Sequence, residues 1–142
     1  MLLIKTKLDT SGIHGIGLFA DQFIRKGAVI WRFNNLIDRR FSEKSWSRLA
    51  PESREQIQKY SYREKHSRLY VLCGDDARFF NHSEEPNCFD AYCDHEDLTF
   101  AARDIQAGEE LTCDYALFDL DFVEGKYYLP VLEISEISSG YF

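Results

Sequence analysis

The chain of 142 residues sets 17 Lys+Arg against 24 Asp+Glu, a formal charge of −7, with 44% hydrophobic and 15% aromatic residues and three prolines. That length suits one domain, burying roughly 65–70% of its unfolded surface, and the apolar content excludes a disordered chain and leaves no room for two catalytic domains. No apolar run approaches the roughly 18 residues of a membrane span, Met1-Leu2-Leu3-Ile4 meets Lys5 too early for a signal-peptide core, and the acidity disfavours nucleic acid as the main ligand. The expectation is a soluble, intracellular protein, cytoplasmic or nuclear. Four cysteines (Cys73, Cys88, Cys93, Cys113) form no C-x-x-C pair, so they read as reduced thiols and not as a disulfide framework or zinc cage.

Leu2, Ile4, Thr6 and Leu8 alternate with Leu3, Lys5 and Lys7, the period of a half-buried strand. After a glycine turn, Gly17-Leu18-Phe19-Ala20 reads as a second strand. Lys26-Gly27 marks another turn; Val29, Trp31 and Phe33 then share one face of a third strand, with Ala28, Ile30 and Arg32 on the other. Residues 36–68 read as a helical insertion: Ser42 is placed to cap a helix carrying Trp46 and Leu49, and Pro51 to begin a second one reaching about Tyr60. The insertion holds nine Lys/Arg against five Asp/Glu, a net +4 that leaves −11 for the rest. β character returns at 69–73, in a hairpin of 88–93 and 98–103 turned by Asp94-His95-Glu96-Asp97, and at 110–115. In that last segment Leu111, Cys113 and Tyr115 face one way, so Tyr115 is expected to point inward, while Glu110, Thr112 and Asp114 face the other. Residues 116–142 are acidic and aromatic, too apolar for a simple solvated tail.

Three segments concentrate chemistry-bearing residues: 11–20, 78–88 and 108–115. Gly15-x-Gly17 lacks the third glycine and following helix of a dinucleotide fingerprint; what remains is a place for backbone to approach a ligand. Asn81-His82-Ser83 with Pro86-Asn87 reads by itself as a capped polar turn. Glu109 and Glu110 are adjacent at a strand start and face opposite sides, so they cannot act as a glycosidase's carboxyl pair and read as solvated charge. Cys113 lies in an apolar stripe without the local signature of a thiol hydrolase, which disfavours a Cys113/His82 nucleophile pair. Tyr115 alone is a core aromatic.

Taken in order, G-x-G-L-F-A at 15–20, R-F-x-N-H-S-x-x-P-N at 78–87 and G-E-E-L-T-x-D-Y at 108–115 together resemble the SET domain of protein lysine methyltransferases. The 24–30 strand entry and the 102–108 lead-in fit the same family, and the resemblance covers roughly residues 3–118. It implies a mainly β, β-clip-like fold of small sheets with a helical insertion. It also implies a C-terminal pseudoknot, in which the chain near Tyr115 threads beneath Asn81-His82, a knot-like exception to usual connectivity. Residues 1–118 would form the SET domain and 119–142 a short tail packing on or near the cofactor and substrate site. The implied cofactor is S-adenosylmethionine, leaving as S-adenosylhomocysteine. Backbone at His14, Gly15, Ile16 and Gly17 would hold its methionine part, Asn81 and His82 would contact it near the adenine, and Phe118 or Phe122 would cover it. Tyr115 would be the catalytic tyrosine, and Phe33, Cys113 and Tyr115 would line the substrate channel. No metal is implied.

Methyl transfer to lysine needs a neutral amine, although free lysine has a pKa of about 10.4. Desolvation beside a sulfonium cation disfavours the ammonium, so alignment and desolvation should dominate. A tyrosine hydroxyl can orient the amine and the polarised methyl, and aromatic faces favour cationic sulfur. The chain departs from the family at Glu84, where N-H-S-C would have cysteine. Within these residues no C-x-C-x4-C follows Tyr115 and no cysteine-rich cluster precedes Gly15, so the expectation is a minimal SET domain without zinc-bound flanking elements. Small Cys113 stands where relatives often carry a Phe or Tyr that limits how many methyl groups fit, and Phe33 stands where many have a tyrosine. The implied partner is a basic, lysine-containing protein or peptide such as a histone, and a homodimer completing the substrate groove is compatible. Two rivals are an interaction module that keeps the fold without turnover and binds through the basic insertion, and a metal site from His82, Cys88, Cys93 and His95, whose spacing fits no familiar geometry.

Overall fold

The computed structural model describes residues 1–125. Small antiparallel and parallel pairings, not one large sheet, organise it. The first pair is β1 (Thr6–Thr10) against β2 (Ile16–Ala20), antiparallel, with Thr10 opposite Ile16 and Thr6 opposite Ala20. The expected first strand over Leu2–Leu8 is therefore displaced towards the C-terminus. Leu2 instead bridges Trp31, and Leu2 and Ile4 pack against the core. Contact with the core takes these apolar residues out of the alternation.

The third strand, β3 (Val29–Arg32), joins a three-stranded sheet in the order β3-β9-β8, with β8 at Cys88–Cys93 and β9 at Glu96–Ala101. The hairpin is tighter than the sequence reading of it. Cys93 pairs directly with Glu96, and only Asp94 and His95 remain as the turn, both at positive φ (51° and 64°). Positive φ at both central residues is the requirement of a type I′ turn, whose twist matches the strands.

The insertion is helical only in part. Ser42 caps α1 (Glu43–Trp46) by accepting the Ser45 amide, and Pro51 opens α2 (Pro51–Tyr60), both where expected. Flanking them are β4 (Arg39–Phe41) and β5 (Ser61–Arg63), which pair antiparallel on either side of β6 (Tyr70–Leu72). Segments of three residues are too short to show a period, which is why the sequence reading passed them over.

The C-terminal motif runs between two earlier segments. Leu111 N–H donates to the Leu18 carbonyl at 2.7 Å on one side. On the other, β10 (Thr112–Cys113) pairs parallel with β7 (Asn81–His82). The expected strand over 110–115 is cut to these two paired residues. Asp114 then accepts the Ala116 amide and starts a 3₁₀ turn at Tyr115–Leu117. A short helix, α3 (Leu120–Val123), follows, capped by Asp119.

The main core gathers Leu18, Ile24, Ile30, Ile105, Leu111 and Cys113 from all these segments, each at most 2% exposed. A second cluster of Trp31, Cys73 and Ala77 sits beside it, with Tyr62 and Phe80 packed against it. Both faces of β3 are thus buried, Ile30 in one cluster and Trp31 in the other. Among the described residues no helix is long and apolar enough to cross a membrane.

Candidate active site

One carboxylate ties the three motifs together. The Ser11 hydroxyl lies 2.7 and 2.9 Å from the two Glu110 oxygens, and Asn81 Nδ2 donates to Glu110 Oε1 at 2.9 Å. The same Asn81 amide reaches the carbonyls of His14 (3.0 Å) and Ile16 (3.3 Å), and Ser11 Oγ accepts from the Ile13 and His14 amides. Gly15, at φ +50°, turns the loop. Gly17 makes room for the acid, because a Cβ there would stand 2.2 Å from Glu110 Oε1. The reading of Glu110 as a solvated charge is therefore corrected: the carboxylate is a clasp. Glu109 does stay at the surface, paired with Arg103 at 2.7 Å.

A second group surrounds Tyr115. His82 Nδ1 accepts the Tyr115 backbone N–H at 3.1 Å, which fixes the neutral ring's hydrogen on Nε2. The Tyr115 hydroxyl donates to the Phe80 carbonyl oxygen. Its ring lies 5.2 Å from His82, 5.6 Å from Phe118 and 5.8 Å from Phe122. Burial pushes the phenol's pKa far up, helped by the nearby acidic groups, so it remains a hydroxyl at any working pH. Burial likewise raises the Cys113 thiol well above its ordinary value, which leaves no thiolate nucleophile.

Two clefts meet here. The first, of about 570 Å³, is walled by Tyr60, Tyr62, Arg78, Phe80, Cys113, Tyr115 and Phe118 among others. The second, of about 530 Å³, is walled by Tyr62, Glu64, His66, Tyr92, Asp97 and Leu117 among others. Trp31, Tyr62, Asp90 and Phe118 belong to both, so these four form the partition between the clefts. Tyr62 and Phe118 meet edge to face at 5.0 Å. Asp119, 1% exposed, accepts the Arg63 amide and so pins the turn carrying Phe118 to the strand carrying Tyr62.

Of the residues expected at the site, Cys113, Tyr115 and Phe118 line the first cleft. His14, Gly15, Ile16, Gly17, Asn81 and His82 assemble as an adjoining group joined to it through the His82–Tyr115 contact. Phe33 lines neither cleft; its ring lies edge-on to Trp31, with the Arg40 guanidinium 3.5 Å above it. The tail expected over 119–142 is described only to residue 125, and within that part Phe122 packs on His82 at 4.7 Å; residues 126–142 lie outside the described residues.

The second cleft is edged by a charged cluster. Arg40 bridges Glu64 (2.7 Å) and Asp97, and His66 Nε2 lies 3.1 Å from Asp97. Burial alone would raise Glu64, but hydrogen bonds from Arg40 and Ser67 outweigh it and lower its pKa. Asp97 moves the other way, raised by burial and by the neighbouring Glu64. His82, Cys88, Cys93 and His95 do not converge; among the described residues the ligand atoms within 4.8 Å of one another belong to Glu64, His66 and Asp97. Arg40 already holds two of those carboxylates.

Small sheets with a parallel β7–β10 junction and two clefts sharing an aromatic partition, with the half-buried Tyr115 on the wall of the first, are the features of a domain of the SET class. Residues 15–116 match the family description "SET domain", and the chain belongs to that family. It is 32% identical over 117 residues to Histone-lysine N-methyltransferase ATX2 of Arabidopsis thaliana, covering 78% of this chain and 11% of that protein. It is 30% identical over 127 residues to human Histone-lysine N-methyltransferase 2D, covering 87% of this chain and 2% of that protein. The chain thus spans a small fraction of the length of these relatives. A humanised mutant of the Chaetomium thermophilum Polycomb Repressive Complex 2 superposes with a TM-score of 0.62 at 25% identity, covering 81% of this chain and 15% of that one.

Three residues of the site escaped the sequence reading. Glu110 gives no local sign of its partners, which lie 99 and 29 positions away. Tyr62 sits in a strand too short to be recognised. Asp90 did carry a signal: it shares a strand face with Cys88, which is fully buried, so period-2 reasoning turns an acid inward.

Proposed function

We propose that the chain transfers a methyl group from S-adenosylmethionine to the side-chain amine of lysine in a basic protein, a histone tail foremost. The partition shared by two clefts, with Tyr115 beside it, is the observation that carries this reading. Two substrates that exchange one small group are served by two clefts with a narrow common wall. The relatives are named histone-lysine N-methyltransferases, which supports the lysine and the histone.

The first cleft fits the cofactor by its chemistry. Tyr62, Tyr115 and Phe118 offer aromatic faces, and Asp119 offers negative charge, to a sulfonium centre; Arg78 and Lys59 offer cations to a carboxylate end. S-adenosylmethionine supplies an electrophilic methyl group when bound. The chain's own residues do the rest. The Ser11–Glu110–Asn81 clasp fixes the 14–17 loop, so its backbone is presented in one conformation. Tyr115 commits its proton to the Phe80 carbonyl and therefore meets a reacting group as an acceptor. Tyr62 takes the channel-wall place first assigned to Phe33. Trp31, Tyr62 and Phe118 exclude water around the amine, which lowers the cost of its neutral form. Tyr60, Ser61 and Tyr62 come from the end of the insertion, so that insertion completes the cleft wall.

The test is mass spectrometry of labelled methyl transfer to a histone H3 N-terminal peptide and a panel of basic proteins, wild type beside Tyr115→Phe. Wild type transfers label to lysine. Tyr115→Phe lowers kcat by roughly 10–100-fold, the scale of losing alignment at a reacting centre. Absence of both cofactor binding by calorimetry and label transfer refutes the reading.

A further inference from the structure

Asp90 is the group in the partition that the proposed reaction has not yet used. One of its oxygens accepts the Thr99 hydroxyl. The other, Oδ2, is shielded from water and has no hydrogen-bond partner in the chain; the Cys113 thiol, a weak donor, also interacts with this carboxyl group. Buried carboxylate oxygens are normally satisfied, and one left bare in a binding cleft calls for a partner from outside the chain. The same wall holds another shielded polar atom without a partner, Trp31 Nε1. The partition is therefore built with hydrogen-bonding capacity that the protein does not fill.

Resting on the methyltransferase reading above, we infer that Asp90 is a further catalytic residue. Its Oδ2 receives the target lysine as the ammonium entering from the second cleft, and then takes one proton from it. The step balances: one N–H bond breaks, one O–H bond forms on the carboxylate, and the electron pair left on nitrogen becomes available to the methyl group. Ammonium and carboxylate become amine and carboxylic acid, with no change of net charge. In a desolvated site the neutral pair competes with the ion pair, because both ions have lost their water. Once the methyl has moved, the amine is a cation again and the proton on Asp90 returns to solvent as product leaves.

The groups facing Asp90 allow this. Tyr62 from β5, Cys113 from β10 and Tyr115 from the 3₁₀ turn are all held neutral by burial, and Asp97 on β9 adds negative charge. Burial first, then Asp97, push Asp90 up to about 6, against the hydrogen bonds of Thr99 and Cys113. At neutral pH it is still mainly a carboxylate and can take up a proton.

Two measurements on wild type and Asp90→Asn test the proposal. The first is binding of n-butylammonium, a lysine side chain without its backbone, to protein saturated with S-adenosylhomocysteine, followed by NMR. Asp90→Asn weakens it at least ten-fold, while n-butanol binds both proteins alike and reports an intact cleft. Equal n-butylammonium binding by the two proteins, or binding by neither, overturns the proposal. The second is the pH profile of kcat/KM on a histone H3 peptide. Wild type is level from about pH 7 to 9, since the ammonium is the form captured, whereas Asp90→Asn rises with unit slope because it must wait for free amine. The same level profile in both proteins overturns the role of Asp90 and leaves the methyltransferase reading standing. Loss of n-butylammonium binding in Asp90→Asn, with no methyl transfer by wild type, keeps the ammonium site and refutes the methyltransferase reading instead.

Discussion

Replacing Glu110 by alanine removes the acceptor that joins Ser11, Asn81 and the C-terminal motif. Two donors lose a charged partner, and a hydrogen bond to a charged group contributes about 1.5–3 kcal/mol. The clasp is only part-buried, so water re-solvates both donors and discounts each to the bottom of that range or just below it, about 2–3 kcal/mol in all. For a domain of this size each kcal/mol shifts Tm by about 3–5 °C, so Glu110→Ala should melt roughly 6–15 °C lower. Asn81 keeps its bonds to the His14 and Ile16 carbonyls, so the loop is loosened and not released. Calorimetric affinity for S-adenosylhomocysteine should fall about ten-fold, which is 1.4 kcal/mol. Gly17→Ala tests the same clasp from the other side, since its Cβ would displace Glu110 Oε1 from 2.2 Å. That atom ends a flexible side chain and swings away, so the cost is the lost hydrogen bonds and not a rigid clash. In a Glu110→Ala background the cost of Gly17→Ala should therefore largely vanish, a non-additive cycle. Additive effects, or a Glu110→Ala protein melting within about 2 °C of wild type, refute the clasp.

The raised pKa of Asp90 sets a stability dependence of definite sign. Its folded pKa of about 6 exceeds the ordinary 3.8, so its contribution is fully present below pH 4 and lost as pH rises through 6. Relative to Asp90→Asn, wild type should lose about 2–3 kcal/mol between pH 4 and 7 in denaturant unfolding, and a constant difference would count against it. Gly74→Ala contrasts with Gly17→Ala: its Cβ would stand 1.9 Å from the Ile37 carbonyl oxygen, backbone that cannot swing aside. A loss above about 3 kcal/mol in urea unfolding is expected, against almost none for Gly12→Ala, where the space is open.

Much of the local structure was legible because its causes are local. Ser42 and Pro51 start their helices as their side-chain chemistry dictates, and Asp94-His95 turns its hairpin. The failures have one physical origin, a tertiary contact acting on a segment too short to show its period. Leu2 and Ile4 leave the first strand to reach the core, β4 and β5 exist only because β6 lies between them, and the last strand is paired for two residues only. Short sheets take their stability from neighbours distant in the chain, where periodicity carries no information.

The site divides along the same line. Cys113 and Tyr115 were found because a motif holds them and Phe118 as an aromatic just beyond it, whereas Glu110 needed the fold to reveal two partners from other motifs. Asp90 is the instructive case, because its strand face was readable and pointed inward beside buried Cys88. An inward acid lowers stability at neutral pH, so packing alone gives no reason to place one there. Its hydroxyl partner Thr99 satisfies one oxygen and leaves the other to the cleft, and the C-terminal turn brings Tyr115 to that cleft. A group set where it costs stability, half satisfied by the chain and facing a wall shared by two clefts, has the features of one kept for chemistry. On that ground the combination of an inward-facing acid and an unfilled hydrogen-bonding site identifies a functional residue that family motifs do not name.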